Sequence, residues 1–233
     1  MSRTLVLPIC LILAGQLGGQ ARDESNYKAD LNRYLTSENP HLSEHAYVLL
    51  ASKWPKTQLN VCWENPSPQF QDAMALVEKE IKDTWEHYSR LTFGAWEPCA
   101  TINRGIRIYI EDSGPRTLYL GRQLDGIKRG MVLNFTFKSW GSQCQATLES
   151  CIKAIAGHEF GHAIGFAHEN DRPDRPGECL PTPGDFTVGV KNLTPYDPTS
   201  IMNYCNDAAY KNNGKLSDLD IDAVIKLYGR HPS

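Results

Sequence analysis

A field of one charge sign is missing from this chain. Its 24 lysines and arginines stand against 27 aspartates and glutamates, a formal net charge of -3 over 233 residues, with the signs mixed. No basic stripe is left for nucleic acid phosphates or an anionic membrane surface, so neither partner is expected. Long apolar runs are scarce too. The one run of note, Leu5 to Ala14, falls short of the roughly 20 residues that cross a bilayer, and no second one follows, so no stable membrane association is expected. Internal repeats and low-complexity tails are absent, which excludes solenoids and arrays. The seven cysteines include no CxxC pair, so nothing supports a thiolate metal site.

What is present starts with a secretory leader. Arg3 supplies the positive region, Leu5 to Ala14 the apolar one, and Gly19-Gln20-Ala21 a small-x-small cleavage site, giving residues 1–21 as signal peptide. Cys10 would leave with it. The remaining cysteines, Cys62, Cys99, Cys144, Cys151, Cys179 and Cys205, form an even set in a chain bound for an oxidising compartment. Such a set allows fifteen pairings, among which order and proximity favour Cys62 with Cys99, Cys144 with Cys151 and Cys179 with Cys205. The length beyond the leader suits one domain in a secreted monomer.

Residues 22–52 are polar, with weak helical patterning, and read either as a prosegment or as an N-terminal decoration. The main domain is placed at 53–233. Strands are expected at Gln58 to Trp63, Leu91 to Trp96, Ile106 to Ile110 and Met131 to Phe137, and a long amphipathic helix at Gln69 to Tyr88. A further helix, Leu216 to Tyr228, has Ser217 as N-cap and Asp220 in a capping-box position. The Pro- and Gly-rich segment after His168 reads as a rim loop, in which Asn170 to Asp174 either folds back on the site, binds a cation through Asp171 and Asp174, or is simply solvated, solvation being preferred to a calcium site because the spacing matches no calcium loop. Sequons stand at Asn134 and Asn192, the first being the poorer because it lies in an expected core strand.

The chemistry concentrates in HEFGHAIGFAHE, His158 to Glu169. His158 and His162 stand four apart, so on a helix they share a face and can donate two nitrogens to one metal ion. Gly165 can take φ > 0, end the helix and swing His168 to the same ion. Three neutral imidazoles leave a fourth coordination position open, as catalytic zinc sites do. Glu159 sits beside the first histidine and can take a proton from water without being a ligand.

This segment resembles the HExxHxxGxxH signature of the metzincin zinc metallopeptidases. HAIGFAHENDRPDR resembles the astacin-like branch most closely, with a close matrixin-like relative as the other possibility. Ser200 to Tyr204, SIMNY, is similar to the Met-turn of that clan, with Met202 beneath the metal and Tyr204 near it.

The resemblance implies an α+β zincin with a twisted, mostly parallel sheet, a long backing helix, a zinc helix and a small C-terminal lobe carrying the Met-turn. The two helices are expected on opposite faces of the sheet. It implies Zn2+ held by His158, His162 and His168, Glu159 as base, and Tyr204 as a donor to the oxyanion. The activity implied is a secreted zinc endopeptidase whose protein or peptide substrate lies as an extended strand along an edge formed by TLYL, within Gly114 to Gly121. Activity should fall below about pH 6, near the histidine reference of about 6.5.

Pro-regions of astacin-like enzymes cover the metal with an aspartate. Here Asp23 and Asp30 are available, though neither follows a glycine, and the lack of any cysteine in 22–52 excludes a cysteine switch. Astacin-like trimming also sends a new α-amino group to the Glu after the third His, which would be Glu169; the alternative for Glu169 is a solvated carboxylate. The rival to the enzyme is a catalytically silent, zinc-containing peptide-binding protein, for which Glu159 would be dispensable.

Overall fold

Ile106, Ile108 and Ile110 alternate with Arg107 and Tyr109, and this alternation decides which way the sheet faces. The structure, a computed structural model, describes residues 47–100, 104–182, 190–205 and 213–232. The expected leader, residues 1–21, and residues 22–46, with Asp23 and Asp30, lie outside these. In β3 (Ile106–Ile110) the isoleucines are buried, while Arg107 on the reverse side pairs with Glu64 at 2.9 Å. The Arg129 guanidinium lies 4.1 Å over the Tyr109 ring on that same side.

The other strands are β1 (Gln58–Trp63), β2 (Thr92–Pro98), β4 (Arg116–Thr117) and β5 (Met131–Leu133). The sheet runs β2-β1-β3-β5-β4, parallel throughout except for the antiparallel edge β4.

Two helices cover the apolar face. They are α1 (Gln71–Ile81), extended by a wide turn at Lys82–Glu86, and α2 (Leu148–Ala163). The wide turn interrupts the long helix expected at Gln69 to Tyr88, at the point where Thr84 Oγ1 donates to Glu80 O at 2.6 Å and competes with the regular ladder. It carries Trp85, whose Nε1 donates to Gly157 O of α2 at 2.9 Å. Phe93 and Trp96 of β2 meet Phe160 of α2 with ring centroids 5.4 and 5.7 Å apart. The two helices thus pack on each other and on one side of the sheet, which corrects the expected sandwich. The reverse side is occupied instead by Arg107 paired with Glu64, the Cys62–Cys99 disulfide and Tyr109 beneath Arg129.

Two strand expectations are shortened. The run from Met131 ends at Leu133 because Asn134 folds the chain, its Oδ1 accepting Phe137 N–H at 2.8 Å and Thr136 N–H at 3.0 Å. Asn134 Nδ2 donates to Asp112 Oδ1 at 3.0 Å and its residue is 1% exposed, so no glycan fits there. The TLYL edge contributes only Thr117 to β4, with Arg116 before it. Leu120 is drawn into the core, and the chain turns at Gly121, whose φ of +53° lets it lie against the Ser52 carbonyl.

All three favoured disulfides are present. The C-terminal helix α3 (Asp218–Tyr228) has the expected capping box between Ser217 and Asp220. Residues on either side of the expected boundary at Ser52 are built into this body. Val48 exchanges backbone bonds with Lys191 at 2.8 and 2.9 Å, and Leu49 N–H donates to Gly165 O at 3.1 Å. Trp54 Nε1 donates to Ala163 O at 2.7 Å and the Tyr228 hydroxyl to Ile164 O at 2.8 Å, so two carbonyls at the end of α2 find side-chain donors.

Gly161 in α2 is where the Met-turn and α1 come nearest to the helix. An added Cβ would collide with Met202 Sδ and stand 3.3 Å from the Trp85 ring. Gly161→Ala is expected to destabilise the protein by roughly 1 to 3 kcal/mol through overpacking, measured by denaturant unfolding; an unchanged midpoint would mean that the Met-turn yields freely.

Candidate metal centre

α2 delivers His158 and His162 on one face, and its end delivers the third histidine. Gly165, at φ +109°, takes the left-handed conformation, Phe166 N–H bonds Gly161 O at 3.0 Å and Gly165 N–H bonds His162 O at 2.9 Å. This pair of bonds is a Schellman closure, which satisfies the last carbonyls and reverses the chain. His168 Nε2 then lies 3.1 Å from His158 Nε2 and 3.0 Å from His162 Nε2. Among the described residues this trio is the one group of His, Cys, Asp and Glu side chains placed to hold a metal ion.

The opposite ring nitrogens are fixed as well. His158 Nδ1 donates to Ile201 O at 2.8 Å and His162 Nδ1 to Phe166 O at 2.7 Å, while His168 Nδ1 faces Asp171 Oδ2 at 3.5 Å. A proton committed to Nδ1 leaves Nε2 with its lone pair inward. Burial, and then the neighbouring His168, pushes His158 down to about 3 and His162 well below its ordinary value. Two lone pairs turned inward toward a third buried imidazole form a donor set that a cation between them would satisfy. The spacing fits: tetrahedral coordination at about 2.0 to 2.1 Å separates donors by roughly 3.3 Å.

Glu159 is buried beside this trio, and its Oε2 accepts the Thr117 hydroxyl at 2.7 Å. Burial raises its carboxyl to about 7, against the lowering effects of Thr117, His168 and Arg116. A carboxylate held there can take up and release a proton near neutral pH.

Tyr204 follows the Met-turn. Its ring centroid is 4.3 Å from that of His168 and 5.1 Å from that of His158, and the residue is 53% exposed toward solvent. The five residues singled out from the sequence therefore come together.

Of the alternatives for the loop after His168, folding back on the site is the one found, and simple solvation is not. Asn170, Asp171 and Arg172 are buried, because Asp171 Oδ1 accepts Thr182 N–H at 2.6 Å and Asn170 Oδ1 accepts Tyr204 N–H at 3.1 Å. Asp171 Oδ2 has no hydrogen-bond partner among the described residues, which leaves its negative charge directed at the His168 ring. Glu169 is buried as well, its Oε1 accepting Asp197 N–H at 2.8 Å and lying 3.3 Å from Arg172 Nη1. Burial raises its carboxyl to about 8, with Arg172 opposing.

Sequence reasoning missed the contact of Thr117 with Glu159, the placement of Asp171 against His168 and the second role of Asp220. Besides capping α3, Asp220 accepts Ser200 Oγ at 2.7 Å and Ile201 N–H at 2.9 Å, bracing the Met-turn. Only the capping half of that role leaves a local signal.

The model of the Astacin peptidase family matches residues 138–178. The chain is similar to the zinc metalloproteinase nas-36 of Haemonchus contortus, at 27% identity over 209 residues covering 76% of this chain and 31% of that protein. It is also similar to the bone morphogenetic protein 1 homolog of Strongylocentrotus purpuratus, at 25% identity over 46% of this chain and 14% of that protein. It thus spans about a third or less of these relatives. The structure of myroilysin shares the fold at TM-score 0.59 and 22% identity, over 80% of this chain and 100% of that one. The family model falls on the segment that carries the three histidines, the first relative extends the likeness over most of the chain, and the fold agrees: the chain is similar to the astacin-like metzincins of the Astacin peptidase family.

Proposed function

We propose that this chain is a secreted zinc endopeptidase acting on extended protein substrates. The observation that carries the reading is the convergence of three imidazole Nε2 atoms beside the buried Glu159 carboxyl, next to a short antiparallel edge strand. Three disulfides support an oxidising compartment. Among the described residues no helix is long and apolar enough to cross a membrane.

Zinc held by His158, His162 and His168 would polarise the scissile carbonyl and lower the pKa of a water from about 15.7 toward about 7. The protein does the rest. β4 pairs with the peptide backbone and fixes its direction. Glu159 takes the proton of the attacking water and hands it to the leaving amine, acting as base and then acid. Tyr204, exposed at the mouth of the site, donates its hydroxyl to the developing oxyanion.

The metal is tested first. The purified protein should hold about one zinc per chain, and Asp171→Asn should weaken zinc binding about tenfold to hundredfold by removing the charge facing His168. Chelator competition reads both; unchanged affinity would make Asp171 a loop anchor only.

The chemistry is tested by Glu159→Ala (E159A), which should retain zinc and fold while losing more than about a hundredfold in kcat; Tyr204→Phe should lose less. The acid limb of the pH profile should belong to Glu159. His158 is held down to about 3, so as pH falls it is the Glu159 carboxylate, held up at about 7, that is protonated first and loses its basic form. Activity should thus decline on the acid side as Glu159 is protonated, at a pH below the value of about 7 held without metal, because the charge of bound zinc lowers it. An acid limb that is unchanged in an active Glu159→Asp variant would refute the assignment.

Latency is tested by trimming. With Tyr47 to Ser52 built into the body, any activating cut belongs upstream of Tyr47, within 22–46, and a cut at Ser52 should destabilise the protein. The secreted chain should gain activity on the upstream cut; equal activity before and after would make the segment a decoration. Since Glu169 already engages Arg172 and Asp197, Glu169→Gln should cost roughly 1 to 3 kcal/mol before trimming as well as after.

A further inference from the structure

Thr117 occupies an unusual position between the edge strand and the base. It stands opposite Met131 in the antiparallel pair of β4 and β5, and the next residue, Leu118, sends its N–H to Gly130 O at 2.9 Å. In antiparallel pairs hydrogen-bonded and non-hydrogen-bonded positions alternate. Leu118 therefore turns its backbone groups into the sheet, and Thr117 turns its own N–H and C=O to the open side, where an added strand would pair. Its side chain, perpendicular to the sheet, reaches α2 instead: Oγ1 lies 2.7 Å from Glu159 Oε2 and 3.2 Å from Glu159 O. A single residue thus offers its backbone to the substrate position and its hydroxyl to the carboxylate.

We infer that Thr117 is a positioning residue that sets the register between the substrate strand and the base. Holding Oε2 by a hydrogen bond fixes the carboxylate plane, leaving Oε1 as the oxygen that Thr117 does not engage. A peptide paired with the Thr117 backbone then reaches the site at a set offset from Glu159, because both contacts belong to one residue. The proposal rests on the peptidase reading for its substrate, but not for the geometry of Glu159. Arg116 and Leu118, on either side, carry no such contact to Glu159 Oε2 among the bonds of the described residues.

The test compares three substitutions in the full, processed, zinc-loaded protein. Thr117→Val keeps the shape and removes the hydroxyl, Thr117→Ala removes both, and Thr117→Ser keeps the hydroxyl. Expected is a fall in kcat of about tenfold to hundredfold for Val and Ala, the scale on which small misplacements of a reacting group act. KM should stay within about twofold, because the pairing backbone is unchanged, zinc content and melting temperature should hold, and Ser should restore kcat. Crystal structures of the zinc-loaded wild type and Val variant should show the Glu159 carboxylate rotated in the variant.

Undiminished kcat in Val, a Ser variant as impaired as Ala, or an unmoved carboxylate would each overturn the inference. Should Val not fold, the contrast between Ala and Ser decides by the same criteria. Should the wild type cleave no peptide, the peptidase reading fails while the crystallographic comparison still decides the placement of Glu159.

Discussion

Three buried imidazoles converging through their Nε2 atoms are an unfavourable arrangement without a cation, and much of this structure exists to impose it. Each ring must be prevented from rotating to place an N–H in the middle. For two of them the restraint is a backbone carbonyl, Phe166 O on His162 and Ile201 O on His158. Phe166 is fixed by the Schellman turn at Gly165, which belongs to α2 itself. Ile201 belongs to the Met-turn, which must be held from elsewhere. Asp220 does this, accepting Ser200 Oγ and Ile201 N–H while capping α3. The orientation of His158 therefore depends on the first turn of a helix more than fifty residues away in the chain, and the C-terminal helix contributes to the metal site without touching it.

The parts of this arrangement that are readable from the sequence are those whose spacing is local. His158, Glu159, His162, Gly165 and His168 lie within one helix and its closing turn, so their relation follows from 3.6-residue geometry and one positive φ. The capping box at Ser217 and Asp220 is likewise a three-residue signal. The mostly parallel sheet follows from the resemblance, and β3 announces its two-sided character by alternation. That same alternation argues against a helix on each face, since Arg107 and Tyr109 mark the reverse side as polar.

What escapes the sequence is non-local or depends on a single side chain. Thr117 is 42 residues from the carboxylate that it meets, and nothing in its neighbours distinguishes it from any other threonine in a strand. Asn134 ends β5 early with bonds to Phe137, Thr136 and Asp112, although MVLNFTF has the apolar content of a longer strand. Asn170 to Asp174 looks like a solvated loop by composition. Its polar groups are instead buried because nearly all find partners: Asn170 with Tyr204, Asp171 with Thr182, Arg172 with Thr194 and Asp174. Composition reports how polar a segment is, and says nothing of whether the rest of the chain will satisfy it.

The charge in the lower part of the molecule follows from that same satisfaction. Glu169, Asp197 and Asp220 line a small cavity under Met202, and three carboxylates so near one another need compensation. Asp220 is answered by hydroxyl and amide donors, and Glu169 by Asp197 N–H and the fully buried Arg172, which also reaches Thr194 O. Arg172 lies four residues beyond His168 in the loop that the third histidine opens, so the cation arrives by the same turn that completes the metal site. Because Glu169 N–H also bonds Met202 O at 2.9 Å, the residue after the third histidine ties the Met-turn to the histidine segment through its backbone and to the lower body through its side chain. Closing the helix at Gly165 thus assembles the ligand set and neutralises the ground beneath it in one step, which is why the two halves of the His158 to Arg175 segment have to be understood as a single unit.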